Sequence, residues 1–153
     1  AFITTLSPHV QTFVEARLNI SVDWMLPLKA LQTVQTCGPG QLHVCLSGFA
    51  MQGNMDSRRR NYTYIFNQLD ALVNSSTTHM QDPRLKLNIV GSGRPERLGV
   101  PPHMSQRVIP HKNLRFSDFY TLISNNFALL PALASDAYYT RKFSSTLITS
   151  LVT

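Results

Sequence analysis

Three short segments of the chain combine residue types that bind anions in proteins. The first is Gln52-Gly53-Asn54, which is followed by the run Arg58-Arg59-Arg60. The second is Gly91-Ser92-Gly93-Arg94, and the third is Ser144-Ser145-Thr146. Guanidinium groups, hydroxyls and backbone N–H groups that glycine leaves accessible are common ligands of phosphate. The three segments therefore predict a site for a phosphorylated ligand.

Each of these segments also has a simpler structural explanation. The arginine run is predicted to open a helix, where each positive charge costs about 0.3–1 kcal/mol unless an anion is bound. The alternative is that these arginines point into solvent or pair with Asp56, and one of the three is expected to be structural in either case. The Gly91–Gly93 segment is equally compatible with a plain turn, and Ser144–Thr146 with a helix cap.

Residues for metal binding and acid–base catalysis are sparse. The histidines show no metal-ligand spacing and the two cysteines are isolated, so no metal site is predicted. The acidic residues form no pair at short spacing, and no general base is predicted within the chain. Two cysteines do not make a disulfide framework, and Cys45 lies in an apolar run, where a reduced, buried thiol is expected.

The hydrophobic pattern after residue 41 alternates between strand and helix. Strands are predicted at Leu42–Phe49, Leu85–Val90, Arg107–Ile109 and Ala128–Pro131, and helices over about 58–74, from Ser117, and from Ser144 or Ser145. The connecting segments Gly48–Ser57 and Ser75–Pro83 are predicted loops. Such alternation is typical of an α/β fold with a parallel sheet flanked by helices, whose ligands bind beyond the carboxyl ends of the strands. Gly53, Gly91 and Ser144 are therefore expected to cluster at that edge.

The segment before residue 42 is predicted to differ from this pattern. Phe2–Leu6 is predicted to form a strand, and Ser7 and Pro8 are predicted to cap and open a helix. Val22–Leu28 is predicted to be extended, and residues 29–41 to be a connector. The 153 residues give room for one full domain and part of another. The net charge of +6 favours anionic partners, and no apolar run is long enough to span a membrane.

Taken in order, these segments resemble the C-terminal half of a GT-B-type glycosyltransferase of the fungal type. The segment from Phe2 to Val10 is similar to the last strand and helix of the acceptor-side domain, and Val22–Pro27 to the interdomain strand. Gln52-Gly53-Asn54 with the arginine run and Asn61-Tyr62 resembles the first loop and helix of the donor domain. Leu87–Gly93 resembles its second strand and glycine turn, and Ser144–Leu151 its donor-binding helix.

The resemblance implies a function and a domain organisation. Residues 1–35 would end the preceding domain and form the connector, and residues 36–153 would be a Rossmann-like domain, incomplete at its C-terminal end. The domain would bind a nucleotide diphosphate sugar, often UDP-linked, through all three segments, and transfer the sugar to an unknown acceptor without a bound metal. The chain would need an N-terminal domain that it lacks, so the fragment alone is expected to be inactive. The stretch Asp136–Thr149 contains no Glu, unlike many retaining relatives, so the stereochemical outcome is not implied.

Two other functions are compatible with the sequence. One is a non-catalytic GT-B-like binding or scaffold domain. The other, which is disfavoured, is a basic nucleic-acid-binding α/β domain, because Tyr62 belongs to the apolar stripe of its helix and not to a basic face. The sequence does not fix the cellular compartment.

Overall fold

Six strands and seven α-helices make up the described part of the chain. The computed structural model describes residues 4–25 and 38–152. The strands are β1 (Thr4–Thr5), β2 (Asp23–Trp24), β3 (Phe49–Gln52), β4 (Leu87–Gly91), β5 (Val108–Lys112) and β6 (Ala128–Leu129). The helices are α1 (Pro8–Leu18), α2 (Leu42–Cys45), α3 (Tyr62–Asn74), α4 (Thr77–Gln81), α5 (Phe116–Ser124), α6 (Ala137–Thr140) and α7 (Ser145–Val152). Short 3₁₀ helices lie at Pro39–Gln41, Pro95–Arg97 and Pro102–Met104.

The main sheet contains β3 to β6, all parallel, in the order β5-β4-β3-β6. The predicted α/β fold with a parallel sheet flanked by helices is therefore confirmed. Strand β3, the first of this sheet in sequence, lies inside. Strands β4 and β5 are added on one side of it and β6 on the other, an order compatible with a Rossmann-like fold. The direction of strand addition reverses between β3 and β6. This topological switch point is where open parallel sheets bind their ligands, beyond the strands' carboxyl ends.

Helix α3 covers one face of the main sheet. The buried residues of α3 follow the helical repeat and are Tyr62, Phe66, Leu69 and Val73. They pack against strand residues that share one face of the sheet, which are Met51, Leu87 and Ile89. Because Met51 lies opposite Ile89 in the parallel ladder, these side chains meet in one layer. This layer is the core that fixes the position of the loops after β3 and β4.

The opposite face of β4 carries a buried polar network. Asn88 donates from Nδ2 to Oδ1 of Asn126 at 2.8 Å, and its Oδ1 lies 2.9 Å from Nε2 of His111. Burial, followed by the charge of Lys86, lowers the pKa of His111 below its ordinary value. The folded state therefore favours the neutral imidazole.

The N-terminal segment forms a small unit beside the main sheet. Strands β1 and β2 pair in parallel, and α1 begins at Pro8 after Ser7, as predicted, although the Ser7 hydroxyl makes no cap hydrogen bond. Nε2 of His9 lies 2.9 Å from the carbonyl oxygen of Lys142, which joins α1 to the segment before α7. Residues 29–37 of the predicted connector and the boundary between residues 35 and 36 lie outside the described residues.

The prediction of a strand over Leu42–Phe49 is wrong. The 3₁₀ turn at Pro39–Gln41 leads into α2, in which the side chains of Leu42 and Val44 are 45% and 73% exposed instead of facing a core. The strand starts only at Phe49, because Gly48 (φ +85°) turns the chain against the carbonyl oxygen of Lys86. The predicted loop Gly48–Ser57 therefore contains β3. A short apolar run has no periodicity that distinguishes strand from helix.

The predictions for Cys45 and the arginine run also need correction. Cys45 is disulfide-bonded, not a reduced, buried thiol. Helix α3 begins at Tyr62, so Arg58–Arg60 precede the helix and do not open it. Asn61 is the N-cap, and its Oδ1 accepts a hydrogen bond from the N–H of Tyr64. The helix does not start earlier because Asn61 has a non-helical backbone (φ −86°, ψ 73°), and its N–H donates to the carbonyl of Ala132 at 2.9 Å.

The remaining differences are at element boundaries. Helix α5 starts at Phe116 with Arg115 as its N-cap, because the hydroxyl of Ser117 donates to Asp118 instead of capping. The predicted loop Ser75–Pro83 contains α4, which Ser76 caps. Strand β6 is shorter than predicted, and no helix within residues 4–25 and 38–152 is long and apolar enough to cross a membrane.

We predict that Gly91→Ala destabilises the fold strongly. A Cβ at Gly91 would lie 1.8 Å from the carbonyl oxygen of Gly53, so the backbone would have to move. The expected loss is about 3 kcal/mol of unfolding free energy, measured by urea denaturation. The matched control is Gly40→Ala, whose Cβ would meet nothing within 4 Å and which should change stability by less than about 0.5 kcal/mol. Equal losses for the two variants would contradict the close approach of the two loops.

We also predict that the polar network makes stability depend on pH. Because the pKa of His111 is lower in the folded state than its ordinary value of 6.5, the unfolded state binds the proton more readily. The contribution of the neutral His111 to the unfolding free energy is therefore present above pH 6.5. It is lost as the pH falls through 6.5 towards the lowered pKa of the folded state. Urea denaturation between pH 7.5 and pH 5 should show a steeper loss for the parent protein than for His111→Gln. Parallel pH profiles would show that His111 does not titrate with unfolding.

Candidate anion-binding site

The loops after β3 and β4 are joined at the carboxyl edge of the main sheet. The N–H of Gly53 donates to the carbonyl of Val90 at 2.9 Å, and that of Met55 donates to Ser92 at 2.8 Å. Gly93 (φ +121°) permits this approach, since a Cβ there would lie 2.8 Å from Oδ1 of Asn54. Two of the three predicted segments therefore form one rigid surface.

The side chain of Arg60 connects the third segment to this surface. Its Nη2 donates to the carbonyl of Gln52 at 3.1 Å and lies 3.4 Å from Oγ1 of Thr146, in the first turn of α7. Arg60 is 6% exposed, and Gln52 and Thr146 are also buried. Nε of Arg60 and Oε1 of Gln52 have no hydrogen-bond partner within the described residues. Arg60 thus holds the end of β3 to the start of α7.

Helix α7 begins as predicted, with a hydroxyl cap. The N–H of Thr146 donates to Oγ of Ser144 at 3.4 Å. Ser144 is buried, whereas Ser145 is exposed. The first turn of the helix contains no acidic residue, so nothing there offsets the positive end of the helix dipole. Ser145 is the member of this segment that solvent reaches.

A cleft of about 610 Å³ opens between the loop after β3 and the segment that follows β6. We call it the switch-point cleft, since it lies where the direction of strand addition reverses. Its lining residues are Asp56, Arg58, Arg59, Ser135, Tyr138, Lys142 and Phe143. Phe143 directly precedes the Ser144 cap, so the start of α7 follows the cleft along the chain, although Ser144, Ser145 and Thr146 do not line the cleft.

Cations surround the phenol of Tyr138 in this cleft. Partial burial raises the pKa of Tyr138, but hydrogen bonds to Arg59 and Arg60 and the charges of both arginines outweigh it, so the pKa lies below its ordinary value. Nζ of Lys142 lies 5.7 Å from the centroid of the same ring. The side chains of Arg59 and Lys142 are both exposed. The cleft therefore presents two accessible cations to a ligand.

Arg58 is paired, as the structural alternative predicted. Its Nη2 lies 2.7 Å from Oδ2 of Asp56, and Nε and the backbone N–H of Arg58 also donate to that carboxylate. These hydrogen bonds lower the pKa of Asp56 to about 2 and raise that of Arg58. Asp56 stays ionised at neutral pH and offsets the charge of Arg58.

A second polar cleft, of about 500 Å³, lies on the other side of the Asp56–Arg58 pair. We call it the β3–β4 cleft, since the loops after these two strands line it. Its lining residues are Asn54, Met55, Asp56, Ser57, Arg58, Gly93, Arg94 and Arg97. A third cavity of about 210 Å³, beneath α3, is lined by apolar side chains and Gln68 and offers no charged group to a ligand.

The predicted site residues thus divide into three groups. Gly53, Asn54, Arg58, Arg59, Ser92, Gly93 and Ser145 lie at the accessible carboxyl edge, whereas Gln52, Arg60, Ser144 and Thr146 are buried supports and Gly91 is needed for the contact between the loops. Sequence reasoning missed Ser135, Tyr138, Lys142 and Phe143. The signal was present, because the segment that ends directly before the Ser144 cap is rich in aromatic and basic residues, namely Tyr138, Tyr139, Arg141, Lys142 and Phe143. Within residues 4–25 and 38–152, no three potential metal ligands converge.

We predict that Arg60→Ala destabilises the fold, whereas Arg58→Ala does not. Removing the buried guanidinium leaves the carbonyl of Gln52 and the hydroxyl of Thr146 without this donor, at an expected cost of about 2–3 kcal/mol. Arg58 is the matched control, since it is an arginine two residues away whose side chain is 88% exposed, and its loss should change stability little. Urea denaturation measures both. A stable Arg60→Ala protein would refute the supporting role.

No match is found when the chain is compared with models of protein families, with curated proteins and with solved structures. The resemblance to GT-B-type glycosyltransferases therefore stays a prediction from the sequence. The fold and the geometry of the two clefts are the basis for a functional proposal.

Proposed function

We propose that the switch-point cleft binds a nucleotide diphosphate sugar, and that the chain is the donor-binding part of a GT-B-type glycosyltransferase. The observation that carries the proposal is a cationic cleft at the topological switch point of a parallel sheet. In this proposal the diphosphate lies against Arg59, Lys142 and the N-terminus of α7. UDP is the nucleotide that the sequence resemblance favours.

The position of the cleft supports this proposal. Loops that follow neighbouring parallel strands diverge where the direction of strand addition reverses, and the crevice between them admits a ligand. Here the loop after β3 supplies Arg59, and the segment after β6 supplies Tyr138 and Lys142. The volume of about 610 Å³ lies within the ordinary range of small-molecule sites.

The charges of the cleft support a diphosphate more than a neutral ligand. Arg59 and Lys142 bring two positive charges, and the nearby Asp56 is already neutralised by Arg58. The pKa of Tyr138 is lowered by hydrogen bonds to Arg59 and Arg60 and by the charges of these two arginines. Backbone N–H groups at the start of α7 and the exposed Ser145 add donors of the kind that bind phosphate. The cluster therefore matches an anion with several oxygen atoms.

The same groups have a role in sugar transfer under this proposal. When the bond between the sugar and the diphosphate breaks, negative charge develops on the leaving diphosphate. Arg59 and Lys142 stabilise that charge more strongly than the charge of the intact donor, which lowers the barrier. The buried Arg60 acts only as a support, because it keeps α7 at the cleft.

The other two functions make different demands on the chain. A non-catalytic binding domain would use the same cleft, so binding would persist without turnover. The nucleic-acid alternative cannot use Tyr62 for stacking, because Tyr62 is 3% exposed and belongs to the core beneath α3, whereas Tyr64 and Tyr139 are exposed. Stacking on bases requires exposed aromatic faces beside the cations.

We predict that Arg59→Gln and Lys142→Gln each weaken UDP binding by about ten- to a hundredfold. The reason is the loss of one charge-assisted hydrogen bond, worth about 1.5–3 kcal/mol. Isothermal titration calorimetry of UDP into the purified protein measures the effect.

The matched control is Lys86→Gln, since Lys86 precedes β4 and therefore lies at the amino edge of the sheet, far from the cleft. It should bind UDP like the parent. If the parent protein does not bind UDP, or if all three variants bind it equally, the proposed function is wrong.

A further inference from the structure

The β3–β4 cleft has a rigid floor that the structure holds in place independently of any ligand. The backbone bond from Met55 to Ser92 and the bridge between Met55 and Gly93 extend the pairing of β3 and β4 beyond the ends of both strands. The side chain of Met55 is buried in the core below. A ligand in this cleft would therefore meet a preformed surface, which reduces the entropic cost of binding.

One turn of 3₁₀ helix places two arginines beside this floor. Arg94 and Arg97 are three residues apart, and the N–H of Arg97 donates to the carbonyl of Arg94 at 3.0 Å. Arg94 is the extended N-cap of the turn and Arg97 is its last residue, and both line the β3–β4 cleft. Pro95 stiffens the turn and the buried Leu98 anchors its end, so both guanidinium groups start from a fixed backbone.

The charge of the β3–β4 cleft is positive after its acidic neighbours are counted. Asp56 lines the cleft but is paired with Arg58. Glu96 lies between the two arginines in sequence and is exposed, but it does not line the cleft. Within the part of the chain that the structure describes, neither Arg94 nor Arg97 forms an ion pair. Two exposed guanidinium groups are therefore available to a ligand.

The two clefts share one wall, formed by the Asp56–Arg58 pair. A ligand in the β3–β4 cleft would therefore lie next to a ligand in the switch-point cleft without overlapping it. The shared wall is fixed, since the carboxylate of Asp56 accepts from both the backbone and the side chain of Arg58.

We propose that the β3–β4 cleft binds a second anion, a phosphate monoester, through Arg94 and Arg97, and that this phosphate belongs to the acceptor of the sugar. The anion site rests on the cleft itself, and its assignment to the acceptor rests on the proposed function. Each guanidinium group can donate two hydrogen bonds to the oxygens of a phosphate monoester, and the cleft volume of about 500 Å³ leaves room for the ester group. An acceptor phosphate held in this cleft would place the rest of the acceptor beside the donor.

The experiment is a titration of phenyl phosphate by calorimetry, with and without saturating UDP, on four proteins. These are the parent protein, Arg94→Gln/Arg97→Gln, the single variant Arg97→Gln, and Arg59→Gln/Lys142→Gln. The parent is expected to bind phenyl phosphate equally well with and without UDP. The Arg94/Arg97 double variant should bind it at least about tenfold more weakly and bind UDP within about twofold of the parent. The Arg59/Lys142 variant should bind UDP at least about tenfold more weakly and bind phenyl phosphate within about twofold of the parent. Arg97→Gln alone gives an intermediate loss and serves if the double variant does not fold.

Three results would overturn the proposal. If the Arg94/Arg97 variant and Arg97→Gln both bind phenyl phosphate like the parent, the proposed site does not exist. If phenyl phosphate and UDP compete, the two ligands share one site. Inorganic phosphate that binds as tightly as phenyl phosphate would refute the assignment to an acceptor ester. A protein that binds phenyl phosphate through Arg94 and Arg97 but does not bind UDP would retain the anion site and refute the proposed function, so the two failures are distinguishable.

Discussion

The buried guanidinium of Arg60 is the contact on which the carboxyl edge of the sheet depends. It joins the last carbonyl of β3 to the hydroxyl of Thr146, and so it links the first strand of the main sheet to its last helix. Burying a charged group is unfavourable unless hydrogen bonds replace its water. The carbonyls of Gln52 and Arg59 and the hydroxyl of Thr146 supply that replacement. The N-terminus of α7 is thereby held beside the end of β3.

The three consecutive arginines therefore have three different roles. Arg60 supports the fold, Arg58 forms the wall between two clefts with Asp56, and Arg59 faces the switch-point cleft. A run of like charges is tolerated because only Arg59 keeps its charge both accessible and without a carboxylate partner in the described residues. Since one arginine positions the site and another binds the ligand, a substitution in the run affects either stability or affinity.

Sequence reasoning predicted the parallel sheet, because alternating strand and helix patterns follow from which residues can be buried. It also placed Ser144 at a helix start and Gly53 beside Gly91, since glycine and serine have local roles that sequence reveals. It misplaced β3, because the apolar residues Leu42 and Val44 form part of a short exposed helix. It missed Tyr138 and Lys142, whose importance arises only when the segment after β6 folds back on the loop after β3. The aromatic and basic composition of residues 138–143 was a local signal, but the contact of this segment with the loop after β3 is long-range and has no local pattern.

The central claim is that a nucleotide binds at the switch point between β3 and β6. The most direct measurement is a titration of UDP into ¹⁵N-labelled protein, followed through the chemical shifts of backbone amides. We expect saturable shifts that are largest at residues 56–60 and 135–145, with the amides near Gly48 and Lys86 at the amino edge unchanged. Shifts concentrated at the amino edge, or no saturable shifts at all, would contradict binding at the switch point.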